Sequence, residues 1–302
     1  AGFEPVYRHC AETDCFVVDM YDCFLEQLPL AEFSRFERCE LRNLDDYLDL
    51  IDAYFARYGR IAGAYKIGHA YWRTLAYGNP PKAVVEQAFR RALAAGGGTN
   101  LAREELQPLE DFIVHHLCRR CAEHGLRVKI HCGLQAFNGS DIRWTSAGHL
   151  IPLILAHPET EFDLYHISWP YWEEAVAMVK MFPNVTLNFC WAWNVNPAAA
   201  RTALANALEC LPANKIHGYG GDHFFLEGTY GTLVVARREI AGVLADKVES
   251  GWFSEDQAAR VGTMLLRDNA LANFDLVPRR QALRDWARNG GYATISQSNG
   301  KK

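Results

Sequence analysis

No run in the 302-residue sequence approaches the roughly 20 consecutive apolar residues that a membrane helix requires, so no membrane partner is expected. Basic residues are too few and too scattered to leave a footprint for nucleic acid or an anionic surface. The 31 Lys and Arg stand against 36 Asp and Glu, a formal net charge of −5. The opening Ala1-Gly2-Phe3-Glu4-Pro5 has no basic segment leading into an apolar one, so no secretory signal is visible. Position 1 is not Met, and the chain is read as processed, trimmed or partly represented. Neither Gly-x-Gly-x-x-Gly at a strand–helix turn nor Gly-x-x-x-x-Gly-Lys-Ser/Thr occurs, which argues against the nucleotide-binding α/β folds. The nine cysteines are odd in number and scattered; Cys118 and Cys121 form a Cys-x-x-Cys inside a predicted helix, with no second pair at ribbon spacing. That disfavours zinc-finger and thioredoxin chemistry and fits reduced thiols in a cytoplasmic protein.

What the chain does have is material for a large core, with 49% hydrophobic and 12% aromatic residues. It also alternates short β-type runs with longer helical ones. Phe16–Tyr21 and Ala62–Ile67 read as strands, with a helix from Asn43 to Arg57 between them. There Asn43 can cap, and Leu44, Tyr47, Leu48, Ile51 and Tyr54 recur at helical spacing. Helices follow at Lys82–Ala94 and Glu104–His124, the second stopped by Gly125. Strands at Leu126–His131, Phe162–Ile167, Val185–Cys190 and Lys215–Tyr219 then alternate with helices at Leu150–Ala156, Tyr171–Met181, Ala198–Cys210 and Thr232–Glu249. A final helix from Ser254 opens with a Ser254/Gln257 capping box, and the polar tail from about Gly290 reads as loose. Repeated strand–helix units imply a parallel sheet, closed as an eight-stranded barrel or left open and doubly wound.

Polar residues at the strand ends carry the chemistry. His131 ends Val128-Lys129-Ile130, His166 ends Phe162-Asp163-Leu164-Tyr165, Asp222 follows Gly220-Gly221, and Lys66 lies near the end of an earlier strand. In a parallel barrel such side chains converge on the C-terminal rim, where barrel active sites sit. Two imidazoles and a carboxylate suit zinc or manganese, which brings the pKa of a bound water towards neutrality; Asp222 would then serve as general base. Each residue also has a plainer role open to it: His131 and His166 as core histidines, Asp222 as a helix cap, Lys66 as a surface lysine. Trp169, Trp172, Trp191 and Trp193 suit either core packing or the wall of a substrate pocket. His115, His116, His124 and His157 lie on helices or helix ends and read as structural or solvated.

The segments Lys129-Ile130-His131-Cys132-Gly133, Phe162 to His166, Phe182 to Asn188, and Leu211 to Ile216 with Gly220-Gly221-Asp222 together resemble the amidohydrolase superfamily, in its amidohydrolase 2 branch. They are similar also to the nodulin-like domain fused to some glutamine synthetases. The resemblance runs from about Ala62 to Phe274. It implies a TIM-type (β/α)8 barrel with one or two divalent metal ions. His131 would be the ligand of the family's fifth strand, His166 the histidine of its sixth, and Asp222 the eighth-strand aspartate that handles the proton. Lys66 falls near the fourth-strand lysine, a metal ligand in only some branches. Tyr71 and Arg73, from the stretch Ala70-Tyr71-Trp72-Arg73, become expected substrate contacts, together with Trp191, Trp193 and His223.

One departure stands out. The superfamily's first strand ends in His-x-His, both metal ligands, and no His-x-His occurs in this sequence. Three readings stay open: the first strand or strands lie upstream of Ala1; the chain binds metal without that pair; or it is a metal-free relative that only binds a ligand. The expected organisation is a barrel over residues 1–276 and a C-terminal extension over 277–302. The expected function is metal-dependent hydrolysis of a C–N or C–O bond in a small molecule, with zinc or manganese as cofactor. Decarboxylation, hydration or isomerisation of a small carboxylic acid at the same site is the alternative. A homo-oligomer is compatible with all of these.

Overall fold

The computed structural model describes residues 19–21, 30, 39–136 and 139–289. The expected strand at 16–18 and the tail beyond residue 289 lie outside them. The chain divides into two compact units: residues 1–68, 77–128 and 276–302 in the first, and 69–76 with 129–275 in the second.

In the first unit, strand β1 (Met20–Tyr21) runs parallel to β2 (Ala64–Ile67), with Met20 opposite Tyr65 and Tyr21 opposite Lys66. Helix α1 (Leu44–Tyr58) starts where Asn43, extended at φ −151°, accepts the Asp46 amide on its side chain; Asp45 and Asp46 sit at the positive end of the helix dipole. Its apolar stripe, Tyr47, Leu50, Ile51, Tyr54 and Phe55, is buried, and Phe55 stacks on Tyr65 of β2 at 5.8 Å. Helices α2 (Lys82–Ala94) and α3 (Arg103–Glu123) pack together, with Pro108 early in α3. Cys118 and Cys121 are fully buried on α3, outside any disulfide, and burial pushes both thiols up, away from thiolate chemistry.

The stretch past residue 276, expected only as an extension, contains a helix from Leu276 to Arg288. Arg279 on that helix is buried. It donates to the carbonyls of Gly59 and Ala62 (2.8 and 3.0 Å), and to those of His124 and Gly125 (3.1 and 2.6 Å). One guanidinium thus satisfies carbonyls at the C-terminal ends of α1 and α3, just before β2 and β3.

Strand β3 (Arg127–Ile130) crosses the boundary between the units. In the second unit it is followed by α4 (Ile151–Ala156), β4 (Phe162–Leu164), α5 (Trp172–Met181), β5 (Val185–Cys190), α6 (Ala192–Val195), α7 (Pro197–Cys210), β6 (Ile216–Gly220) and α8 (Leu226–Glu249). Strands β4, β5 and β6 are parallel neighbours in chain order. Every residue of β4 and β5 is buried, as a parallel sheet covered on both faces requires. Beyond α8, α9 (Glu255–Thr263) starts at the expected Ser254/Gln257 capping box; a π turn at Met264–Asp268 leads into α10 (Asn269–Asn273). No described helix is long and apolar enough to cross a membrane.

Candidate metal centre

His131 stands one residue beyond β3. Its Nε2 lies 3.0 Å from the Leu134 carbonyl, which can only accept, so Nε2 carries the proton and Nδ1 presents a lone pair. The loop that supplies this carbonyl is fixed. The Leu134 amide donates to the Trp169 carbonyl (2.8 Å), and Gln135 Nε2 donates to the Ala70 carbonyl (2.9 Å). Gly133, at φ +79°, lies so close to the next loop that a Cβ there would be 2.3 Å from the Trp169 oxygen.

His166 comes from a different local device. The sequence reads as strand through Ile167, but β4 ends at Leu164. His166, Ile167 and Ser168 then take left-handed conformations, φ 61°, 48° and 53°. None is glycine, so this backbone is costly and is held in place by tertiary contacts. Ser168 accepts the Ala147 amide on its hydroxyl, and the Tyr171 amide donates to the Ser168 carbonyl. The turn aims the imidazole inward. Nδ1 donates to the Cys190 carbonyl at 2.7 Å, so in the neutral ring Nε2 is the accepting nitrogen, 3.0 Å from His131 Nδ1.

Asp222 follows β6 at φ 52°, another left-handed non-glycine residue. Its carboxylate is 3.5 Å from His166 Nε2 and half exposed, whereas both imidazoles are buried. The donor atoms of His131, His166 and Asp222 all lie within 4.8 Å of one another. Two neutral imidazoles with their outer N–H groups tied to backbone carbonyls would face each other lone pair to lone pair. At 3.0 Å that arrangement is relieved by a proton or a metal ion shared by the two nitrogens, and the neighbouring carboxylate adds negative charge that favours either. Two nitrogens and an oxygen are a donor set that zinc and manganese accept, so the residues fit a divalent metal ion.

The other expected site residues divide. The Tyr71 ring is 4.6 Å from the His131 ring, and its hydroxyl accepts the Ala136 amide at 3.4 Å. Burial first, and the Asp222 charge in addition, raise the Tyr71 phenol above its ordinary value against the opposing Ala136 hydrogen bond, so it stays a donor. Trp191, left-handed at φ 60°, meets His166 edge-on at 5.6 Å. His223 lies 2.9 Å from the Thr232 hydroxyl in the second turn of α8. Two residues sit elsewhere than expected. Trp193 is 1% exposed, stacked on Phe189, with its indole N–H donated to the Gly218 carbonyl; it is core, not pocket wall. Arg73 is 3% exposed and turns its guanidinium back onto the Thr74 and Ala76 carbonyls, so it closes its own loop instead of presenting a fork to substrate. Lys66 is buried on β2 and belongs to the first unit, so the grouping described here rests on residues of the second alone.

A buried polar cluster lies below these side chains, and the sequence reading gave it no role. Asp163 on β4, wholly buried, accepts from Thr186 Oγ1 (2.6 Å) and Asn188 Nδ2 (2.6 Å) on β5 and from His217 Nδ1 (3.0 Å) on β6. His217 Nε2 accepts from Asn273 Nδ2 at 2.9 Å, and that amide also donates to the Asn214 carbonyl. Burial alone would raise the Asp163 carboxyl; His217, Thr186 and Asn188 outweigh it and hold the group at about 2. The available signal was a polar residue alternating with apolar ones in strands covered on both faces, since such a residue must find partners indoors.

Comparison with known proteins bears on this geometry. The family model described as Amidohydrolase (Amidohydro_2) matches residues 44–275. Protein fluG of Emericella nidulans is 26% identical over 220 residues, which cover 70% of this chain and 24% of that protein; the chain thus spans about a quarter of this curated relative. A Lactobacillus casei protein provisionally assigned as a metal-dependent hydrolase superposes with a TM-score of 0.69 at 16% identity, over 86% of this chain and 66% of that one. Glucuronate isomerase of Caulobacter crescentus gives a TM-score of 0.71 at 17% identity, over 90% and 61%. At such identities the two structures show the fold, an α/β barrel of the TIM type.

Proposed function

Because this chain belongs to the amidohydrolase family, we propose that it is a metal-dependent hydrolase acting on a C–N or C–O bond of a small molecule at His131, His166 and Asp222. The observation that carries the reading is the facing pair of imidazole nitrogens, 3.0 Å apart with both outer N–H groups tied to carbonyls, beside a half-exposed carboxylate. When bound, a divalent cation, zinc first and manganese second, supplies a Lewis acid that polarises a substrate oxygen and acidifies water. His131 Nδ1 and His166 Nε2 would hold it. Asp222 is the proton carrier: its carboxylate takes the proton of the attacking water and returns it to the departing nitrogen or oxygen. The Tyr71 phenol, kept protonated, is placed to donate to a substrate oxygen, and Trp191 offers an apolar edge beside His166.

The test is metal analysis of the purified protein, with product analysis on a panel of lactones, N-acyl amino acids and aromatic carboxylates. The expected result is stoichiometric zinc or manganese, lost in His131→Ala, with net addition of water to one class of substrate. A wild-type protein that takes up no divalent metal overturns the metal centre. Release of carbon dioxide, or interconversion without net hydrolysis, overturns the hydrolase assignment and leaves the lyase or isomerase alternative.

A further inference from the structure

The Cys190 carbonyl that holds His166 lies at the end of β5, where the pairing with β6 takes in one extra β6 residue. Strands β5 and β6 pair in step at Leu187 with Ile216 and Asn188 with His217, and then slip, so that Cys190 lies opposite Gly220. Irregularities of this kind re-aim backbone groups beside active sites. The Asn188 side chain spans the slip: Oδ1 accepts the Cys190 amide at 2.8 Å, and Nδ2 donates to Asp163 Oδ2 at 2.6 Å. A primary amide has one accepting and one donating end, and the carboxylate decides which end faces Cys190. An unbroken chain of bonds therefore runs from Asp163 through Asn188 and the Cys190 peptide to His166 Nδ1.

We propose that Asp163 and Asn188 are positioning residues for His166. The carboxylate orients the amide, the amide holds the end of β5, and the Cys190 carbonyl fixes His166 with its proton on Nδ1 and its Nε2 towards His131. His131 has a separate support, the Leu134 carbonyl, and does not depend on this relay. The inference rests on the proposed metal centre only for its affinity readout, because the orientation of the imidazole can be read without metal.

Asn188→Ala tests it. In 15N-histidine-labelled, metal-free wild-type protein, His166 Nδ1–H and His131 Nε2–H should both give slowly exchanging ring-proton resonances. In Asn188→Ala the His166 resonance should be lost to exchange while that of His131 persists, and zinc affinity by chelator competition should fall about 10–100-fold. Asn188→Asp should restore both readouts, since a protonated carboxyl shared with Asp163 offers the same donor and acceptor as the amide. Asn184→Ala is the control: Asn184 is also buried and tied to backbone carbonyls, those of His157 and Thr160, but lies off the relay, so stability should drop with neither readout changed. Should Asn188→Ala fail to fold, Asn188→Val serves, because its branched side chain suits a buried strand while offering the Cys190 amide no acceptor. A His166 ring proton that stays protected in the folded variant, with zinc affinity within about twofold of wild type, overturns the proposal. If wild type binds no zinc, the metal centre fails and the ring proton alone decides the relay.

Discussion

Replacing Asp163 by Asn exchanges a carboxylate for an amide inside a closed set of donors, and no rearrangement of the neighbours removes the conflict. If the new NH2 faces Asn188, that amide must flip, and its own NH2 then meets the Cys190 amide. If instead the NH2 faces the other side, Thr186 can turn its hydroxyl to the Phe162 carbonyl at 3.1 Å. His217, however, must then move its proton to Nε2, where it meets the Asn273 amide. Either way a bond of the cluster is lost, because the buried Cys190 amide goes unpaired or the half-buried Asn273 amide turns away from His217, at about 1–3 kcal/mol. The surviving bonds lose their charge assistance, and relief from burying the ion offsets part of the loss. The expected net cost is about 2–3 kcal/mol.

Linkage gives an independent figure. Asp163 held at about 2, against an unfolded value of about 3.9, contributes on the order of 2–3 kcal/mol above pH 5. The sign follows from the depressed carboxyl: the contribution is present above the unfolded value and is lost as pH falls towards 2. Urea unfolding of wild type and Asp163→Asn should thus differ by about 2–3 kcal/mol at pH 7, and by about half of that at pH 3. A difference below about 0.5 kcal/mol at pH 7, or one that does not change with pH, refutes the reasoning.

Arg279→Met removes the donor to four carbonyls and should cost about 3–5 kcal/mol in unfolding free energy, with Arg279→Lys recovering only part; a loss under about 1 kcal/mol would contradict the clamp. His115, His116 and His124 are all held below the ordinary imidazole value, in each case first by burial. Their folded forms resist protonation, so the melting temperature should fall as pH drops below about 6.5, and a rise between pH 7 and 5.5 would reverse the sign argued here. Gly133→Ala adds a Cβ 2.3 Å from the Trp169 oxygen at a left-handed φ, whereas Gly139 at φ +90° has nothing within 4 Å. Gly139→Ala should cost only about 1–2 kcal/mol of backbone strain. Gly133→Ala should cost more and also weaken zinc binding by shifting the Leu134 carbonyl off His131; equal effects of the two substitutions would exclude that coupling.

The regular elements were legible because burial imposes period and length on them. Strand β5 and helix α2 coincide residue for residue with the patterns at Val185–Cys190 and Lys82–Ala94. The misses have local causes. Tyr165-His166-Ile167-Ser168 consists of residues at ease in a strand, and only contacts made elsewhere in the fold force its left-handed turn. Helix α8 starts at Leu226, six residues before the expected Thr232, since Gly228 and Gly231 gave its first turns the look of a loop. His131, His166 and Asp222 could be picked out because imidazoles and a carboxylate just past the ends of β3, β4 and β6 point to one chemistry. Asp163, Asn188 and His217 could not, because a lone polar residue in an apolar strand does not announce which other strand holds its partner.

The left-handed residues connect these observations. His166, Trp191 and Asp222 each stand just past the end of a strand, each is a non-glycine residue at positive φ, and each surrounds the same group of donor atoms. An extended exit would continue the alternation of the strand and send every second side chain away from the site, whereas a left-handed step turns the side chain back across the strand ends. Each such step costs on the order of 1–2 kcal/mol and persists only where neighbours over-determine it. Those neighbours are identifiable. The Trp191 amide donates to the Gly220 carbonyl at 2.8 Å, the Trp193 indole holds the Gly218 carbonyl, and Cys190 is anchored by Asn188 on one side and His166 on the other. The polar cluster under the site and the packed tryptophan beside it thus have a common role: they carry the backbone strain that points the two imidazoles and the carboxylate at one another.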